Sequence, residues 1–479
     1  MKKLTSILKC AAVCLVTTGY CFIATAQEYN IKNFGAVADG KTDNTLFIQQ
    51  AIDTCSRTGG KVIFPSGTFV TATLYLKSNV TLYLEGGSVL LGNPDINAYP
   101  HLDAGIPFYG DQWAKQSLIF CKNAENVSIE GYGTIDGQGA SFPITTDKKP
   151  DRYKNRPYLL WFAGSKNIHI SNVQLRNSAF WMQHYLGCEY VFIDGIRIWN
   201  HSNKNNDMMD IDGCRYVTVS NVTGDSDDDG ITIKSTSPLV SENITIVNCT
   251  LSSHCNALKF GTESTGGFRN VSVSNCIIKP SRQLTTIYGK PAGNSGVSME
   301  LVDGGIMENI TVNNLVIEGP QVPLFIRLGN RARKFTVNAP EPKIGSLKNI
   351  RISNIIATGA DETGCSFTGL ANAKIENIFL DNIYIESKGD PLAESAGAVP
   401  EMETAYPEAT MFGKLPSYGF FIRHAKNVNL TNITLAYQQT DRRPGIIVSN
   451  TDGFSSSGLH IQYAGNGEKI IFDKPTNRK

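Results

Sequence analysis

No CxxC pair occurs in the 479 residues, so the cysteines do not read as a zinc or redox motif. Nor is there an excess of basic charge: 44 Lys and Arg stand against 43 Asp and Glu. Nucleic acid and anionic membranes both attract a basic excess, so neither is expected as the main partner. Beyond about residue 26 no apolar run is long enough to span a bilayer. The Leu and Asn pattern of a leucine-rich repeat is missing, and hairpin signals are few, which argues against that repeat and against a propeller.

The apolar run from about Ile7 to Ala26 follows Lys2 and Lys3 and ends in "ATA" before Gln27. It reads as a secretory leader over 1–26, leaving 27–479 as one domain in a secreted or periplasmic protein. As a membrane anchor it is short and interrupted by Lys9, and bulky Tyr20 before Cys21 argues against lipidation. Eight cysteines remain after the leader. An oxidising compartment permits disulfides, but Cys188, Cys214, Cys249 and Cys276 each sit beside a strand core. Free, buried thiols are expected.

What the chain does have is 44 glycines and a recurring phrase. It appears as "KNIHISN" at Asn167, "EYVFIDG" at Tyr190, "RYVTVSN" at Tyr216, "ENITIVN" at Asn243 and "RNVSVSN" at Asn270, with further copies to Asn427. The apolar positions alternate, so each phrase is a strand with one face inward. A period of roughly 25 residues marks a solenoid whose turns stack on one another. The closing Asn tolerates left-handed geometry, and aligned Asn side chains form ladders. The expected architecture is all-β, a single-stranded right-handed parallel β-helix. "DGKTDNTLFIQQAIDTC" reads as a short helix capped at Asp43 or Asn44, with Phe47, Ile48, Ala51 and Ile52 on one side, covering the open end. Inserts near 93–123, 136–157, 280–300, 320–345 and 385–420 break the period, and in a solenoid such inserts gather on one face.

The stretch "GDSDDDGITIKS" at 224–235 crowds four aspartates. It opens like a calcium loop, but the twelfth position, where a bidentate Glu belongs, is Thr236. A solvated acidic turn is a second reading, and on it Asp225 and Asp227 are solvated. The third reading uses "NKNNDMMDIDGC", one coil earlier: Asp207 precedes Asp228 by 21 residues, close to one turn. Stacking would gather Asp207, Asp228 and Asp229 on one face and raise at least one pKa. A protonated carboxyl beside an ionised one is what glycosidic hydrolysis requires.

"NND…D", "DDGITIKS", "FGAVADGKTDNT" and "RPYLLWFAGSKNIHISNVQLRNSAFWMQH" resemble glycoside hydrolase family 28, the polygalacturonases and their relatives, over nearly the whole mature chain. The resemblance implies Asp228 as general acid, with Asp207 and Asp229 activating water in an inverting displacement, and Asn205 in the family's N-x-D motif. It implies a pectic, galacturonate-containing substrate and a monomer, with no metal or organic cofactor required.

Two departures stand out. Where the family has a His-Gly pair, "SSHCNALKFGTES" puts Asn256, with His254 two residues away. His254 is either a substitute or a histidine near a turn. Where the family has Arg-x-Lys gripping the leaving-side carboxylate, this chain has Ser298 and Glu300. Glu300 would repel a carboxylate there, which suits a neutral leaving-side sugar such as rhamnose, or another base such as Arg327 or Arg331 does the work. The substrate-binding candidates are therefore Asn205, Lys234, His254, Asn256, Lys259, Glu300 and Arg327, with Trp181 and His184 from "FWMQH" as pocket walls or packing residues. A β-eliminating pectate lyase and a non-catalytic carbohydrate-binding β-helix are the competing readings.

Overall fold

Strands too short to bury a face alone gain stability by stacking, and each aliphatic side chain removed from water contributes about 1.5–3 kcal/mol. The computed structural model describes residues 27–110, 113–393 and 398–473, with the backbone of 477–478. The expected leader at 1–26 lies outside them. Every strand pairing in the stack is parallel. One face runs from Lys166–Ser171 through Glu189–Asp194, Arg215–Ser220 and Ser241–Val247 into Gly267–Ile278. In that face Ile168, Val191, Val217, Ile244 and Val271 stack in register, each no more than 2% exposed. A second face carries Arg197–Asn200, Thr223–Ser226 and Thr250–Ser253. The third carries Gln183–Leu186, Met209–Asp212, Ile231–Ser235, Asn256–Ser264 and Ser295–Leu301. The chain is a three-faced parallel β-helix around one continuous aliphatic core.

The corners depend on asparagine. Residues that open the phrases, Asn167, Asn243, Asn270 and Asn309 among them, have φ between +52° and +58°. Those that close them, such as Asn172, Asn221 and Asn248, are left-handed too, with φ between +57° and +62°. Left-handed backbone costs most L-residues roughly 1–2 kcal/mol, and Asn less because its amide bonds locally. The amides join into a ladder: Asn270 donates to Asn243 at 3.2 Å, Asn309 to Asn270 at 3.1 Å and Asn349 to Asn309 at 3.1 Å. The ladder thus involves the opening Asn as well as the closing one. Tyr190 and Tyr216 occupy two rungs at φ +56° and +58°, and there stacked rings 5.0 Å apart replace the amide bond.

Helix Thr45–Thr58 covers the N-terminal end with Ile48, Ala51, Ile52 and Cys55 fully buried and Phe47 packed at their edge. Asp43 accepts from Thr45 N at 2.8 Å, while Asn44 turns its amide to Val37 instead. All eight cysteines after the leader are free and buried. The insert boundaries need correction: Ser295–Leu301 and Val322–Leu328 are core strands, which lack the phrase because both faces are buried.

Asn309→Ala removes two ladder bonds and strains the corner, so it should lower the unfolding free energy by about 1–3 kcal/mol. Asn309→Gly should cost less than the alanine, and urea unfolding of the two variants checks the order.

Candidate active site

On the third face the inward positions, Met209, Ile211, Ile231 and Ile233, enter the core. The outward positions build the site. His184, Asp210, Thr232, Lys259 and Ser298 form one outward row in register. The turns entering this face carry the other acids. Met209 pairs with Ile231, an offset of 22 that brings Asp207 alongside Asp229, and Met208 N donates to Asp229 O at 2.8 Å. Asp207, Asp228 and Asp229 line a single pocket together with Asn205, Lys234, Lys259 and Trp181.

Two lysines organise the carboxylates. Lys259 Nζ lies 2.9 Å from Asp229 and 3.7 Å from Glu300. Asn256 Nδ2 donates to the other oxygen of Asp229 at 2.6 Å. Asp229 is therefore held by a cation and an amide. Lys234 lies 3.5 Å from Asp207, 3.4 Å from Asp210 and 3.6 Å from Glu263, and 4.4 Å from the centre of the Trp181 ring. Burial lowers the pKa of both lysines, but the surrounding carboxylates outweigh it and hold both well above the ordinary value.

The remaining acids are short of charge compensation. Burial, reinforced by Asp229, pushes Asp228 up to about 7. Asp228 Oδ2 has only a long contact, 3.5 Å, from Asn205. Burial pushes Asp210 up to about 8 against the pull of Lys234. Burial and the charges of Asp210 and Asp228 also raise Asp207 well above the usual carboxylate range. One lysine cannot neutralise both Asp207 and Asp210, so the pair retains a proton near neutrality. Glu263 is the opposite case: burial raises it, but Lys234, Arg333 and Arg331 hold it well below its ordinary value.

Several expected contacts are not made. His254 does not reach the pocket. It is fully buried, with Nδ1 2.8 Å from Asp227 and Nε2 2.7 Å from the Gln283 carbonyl. Asp225 and Asp227 are not solvated. Asp227 accepts from Ile287 N and Tyr288 N, and Asp225 from Ser281 Oγ and Arg282 N, so together they clamp the 280–290 insert. His184 packs beneath the pocket, 2.9 Å from Asp212 and stacked on Tyr158. Asn256 is buried behind Asp229 and does not face the pocket. Arg327 is 1% exposed and ties down the 398–412 segment through the Glu401 and Met402 carbonyls. Glu300 is enclosed, accepting from Ser298 at 2.6 Å; burial pushes it up to about 8. It meets Lys259 rather than the pocket, so it does not repel a substrate carboxylate directly.

Four of the five inserts supply residues that the repeat pattern does not single out. Tyr109 and Trp113 come from the first, Lys149 and Tyr153 from the second, Arg333 from the fourth and Tyr406 from the fifth. They meet one another: Trp113 stacks on Tyr153 at 6.3 Å, Arg333 lies 3.5 Å over Tyr109, and Lys149 lies 5.6 Å over Tyr406. The site is a walled pocket. The break in the repeat period marked these inserts, but nothing in the sequence told which side chain points inward.

The profile of glycosyl hydrolases family 28 matches residues 64–404, which include all these carboxylates. The chain belongs to glycosyl hydrolases family 28. A probable polygalacturonase of Vitis vinifera is 31% identical to this family member over 275 residues, 53% of this chain and 55% of that protein. An exo-poly-alpha-D-galacturonosidase of Dickeya chrysanthemi is 29% identical over 255 residues, 43% of this chain and 42% of the relative. The family-28 chain thus spans about half the length of these curated relatives. A hyperthermoactive exopolygalacturonase from Thermotoga maritima superposes with a TM-score of 0.63 at 24% identity, over 75% of this chain and 87% of that one. That likeness shows the shared β-helix. Among the described residues no helix is long and apolar enough to cross a membrane.

Asp210 is more readily protonated folded than unfolded, so its contribution to stability is present at low pH and is lost as pH rises from about 4 through about 8. Asp210→Asn should therefore raise the melting temperature more at pH 8 than at pH 5. Melting curves of the two proteins at both values check this.

Proposed function

We propose that this chain hydrolyses α-glycosidic bonds of galacturonate-containing pectic polysaccharide with inversion, acting from a chain end. One observation carries the reading: Asp228, pushed up to about 7, stands next to Asp229, whose two oxygens are held by Lys259 and Asn256. Asp228 is the general acid that protonates the leaving oxygen. Asp229, with Asp207 beside it, is the base side that draws a proton from water. The galacturonate-linked names of the relatives support the substrate class.

The substrate's charge is supported by Lys149. It lines the pocket and has no ion pair among the described residues. Burial lowers its pKa, and so do the charges of Arg152, Arg333 and Arg331 against the pull of Glu263; three cations facing one carboxylate suit a uronate carboxylate. This base comes from the second insert, not from the strand position that Ser298 and Glu300 occupy. End-wise cutting follows from the walls, because inserts meeting over the site leave no open groove for a chain to pass through. Hydrolysis is favoured over β-elimination because both lysines are held as cations by carboxylates and neither is available as a proton abstractor. Processing in the periplasm or outside the cell belongs to the same reading.

Asp228→Asn should lower kcat on oligogalacturonates by about 10²–10⁴-fold with the fold unchanged. Wild-type activity should fall as pH rises through about 7, where Asp228 loses its proton. Defined homogalacturonan and rhamnogalacturonan oligomers, with products followed by NMR, test the rest. Monogalacturonate released first as the β-anomer is expected. A ladder of product sizes would remove the end-wise reading, retained configuration the inversion, and an unsaturated product the hydrolysis. Lys149→Ala should raise KM at least fivefold on galacturonate oligomers while kcat changes less.

A further inference from the structure

The second face of the β-helix carries a groove that the catalytic reading does not use. It is lined by Arg176, Arg197, Lys279 and Arg282, with Trp199 between them. The strands set this arrangement. Arg176 pairs with Trp199 on the next rung, and Arg197 lies two residues before Trp199, on the same side of its strand. Trp199 pairs with Asp225 and Asp225 with Ser252, and the offset of the following rung leads to Lys279. The groove therefore runs along the axis for four rung spacings, roughly 19 Å.

The four cations have no ion pair among the described residues. Arg176, Arg197 and Arg282 are exposed, and Lys279 is half-buried. The acids nearest in register are already engaged. Asp136 accepts from Asn177 at 2.8 Å and from Gln138 N at 2.9 Å. Asp225 is taken by His201, Ser281 and Arg282 N. Trp199 is half-buried, its inner side against His201 at 4.7 Å. A row of unpaired guanidinium groups beside a partly open indole matches a polymer that repeats carboxylates along a sugar chain. Arginine pairs bidentately with carboxylates, and the indole offers an apolar face to a sugar ring.

We propose that this groove is a second, non-catalytic binding site for unesterified polyuronate. The choice of polymer rests on the uronate reading of the pocket; the groove's charge does not. It holds long chains against the enzyme, and short oligomers do not need it.

The test uses the full chain in an Asp228→Asn background, so that polymer is not cut. Native gels containing unesterified polygalacturonate, fully methyl-esterified pectin or polyglutamate are compared. Polygalacturonate should retard the protein, and Arg176→Glu with Arg197→Glu should reduce that retardation at least threefold. Trp199→Ala should reduce it too. In the enzyme that retains Asp228, the paired arginine variant should hydrolyse trigalacturonate within twofold of wild type and polymer more slowly. Retardation unchanged by the arginine variants overturns the proposal. So does retardation that is equal with polyglutamate and indifferent to Trp199, which marks charge alone. Groove-dependent retardation in a protein that hydrolyses no oligogalacturonate supports the groove and sinks the catalytic reading.

Discussion

Parallel register is the constraint on which the molecule depends. Each turn of the coil must return the chain to the same place one strand spacing along, about 4.8 Å. That fixes which residues become neighbours. Met209 opposite Ile231 puts Asp207 beside Asp229, and Thr232 opposite Lys259 brings the Asp229 counter-charge into reach. The asparagine corners keep the offset constant, since they turn the chain at positive φ and, from Asn243 to Asn427, the opening ones bond rung to rung. A slip of one residue would turn the acids into the aliphatic core and the isoleucines outward.

That rigidity makes the charge cluster tolerable. Asp207, Asp228 and Asp229 line the pocket with Asp210 fully buried behind them, and Lys234 and Lys259 are the lysines paired with this group. In a deformable fold such charges would move apart or draw in water. Here Asp210 sits in a strand ladder and the Asp207 and Asp229 carbonyls accept from the neighbouring turns, so for Asp207, Asp210 and Asp228 repulsion appears as raised pKa values instead of displacement. The lysines divide the cluster unequally. Lys259 and Asn256 attend to Asp229, Lys234 is shared among three acids, and Asp228 has no ion pair among the described residues, only the Asp229 backbone N–H at 3.0 Å and the distant Asn205 amide. This unequal sharing is what the proposed division into acid and base rests on.

The solenoid was legible in the sequence because period-two alternation and closing asparagines are local signals. The carboxylates were legible because one coil period links "NND" to "DDG". What was not legible has a common cause. Strands such as Ser295–Leu301 bury both faces and lose the alternation. Lys149, Arg333 and Tyr406 arrive from inserts whose paths no period dictates. His254 and Arg327 carry charges that read as functional, yet bond to backbone carbonyls across gaps of 29 and 74 residues. Asp225 and Asp227 looked solvated because the insert that covers them begins some fifty residues later.

The departures at Asn256 and Glu300 are linked through Lys259. Asn256 supplies a hydrogen bond to Asp229 but no charge. Lys259, three residues on, supplies the charge, and its second neighbour is Glu300. A buried lysine between two carboxylates is stable only if its field is satisfied, and a buried glutamate is tolerated only near such a cation. Ser298 completes the set by donating to the other oxygen of Glu300. The strand position that seemed to repel a substrate carboxylate thus carries the counter-acid of a lysine turned toward the site. On the proposed reading, recognition of the substrate's own charge comes from Lys149, on the second insert that lines the pocket.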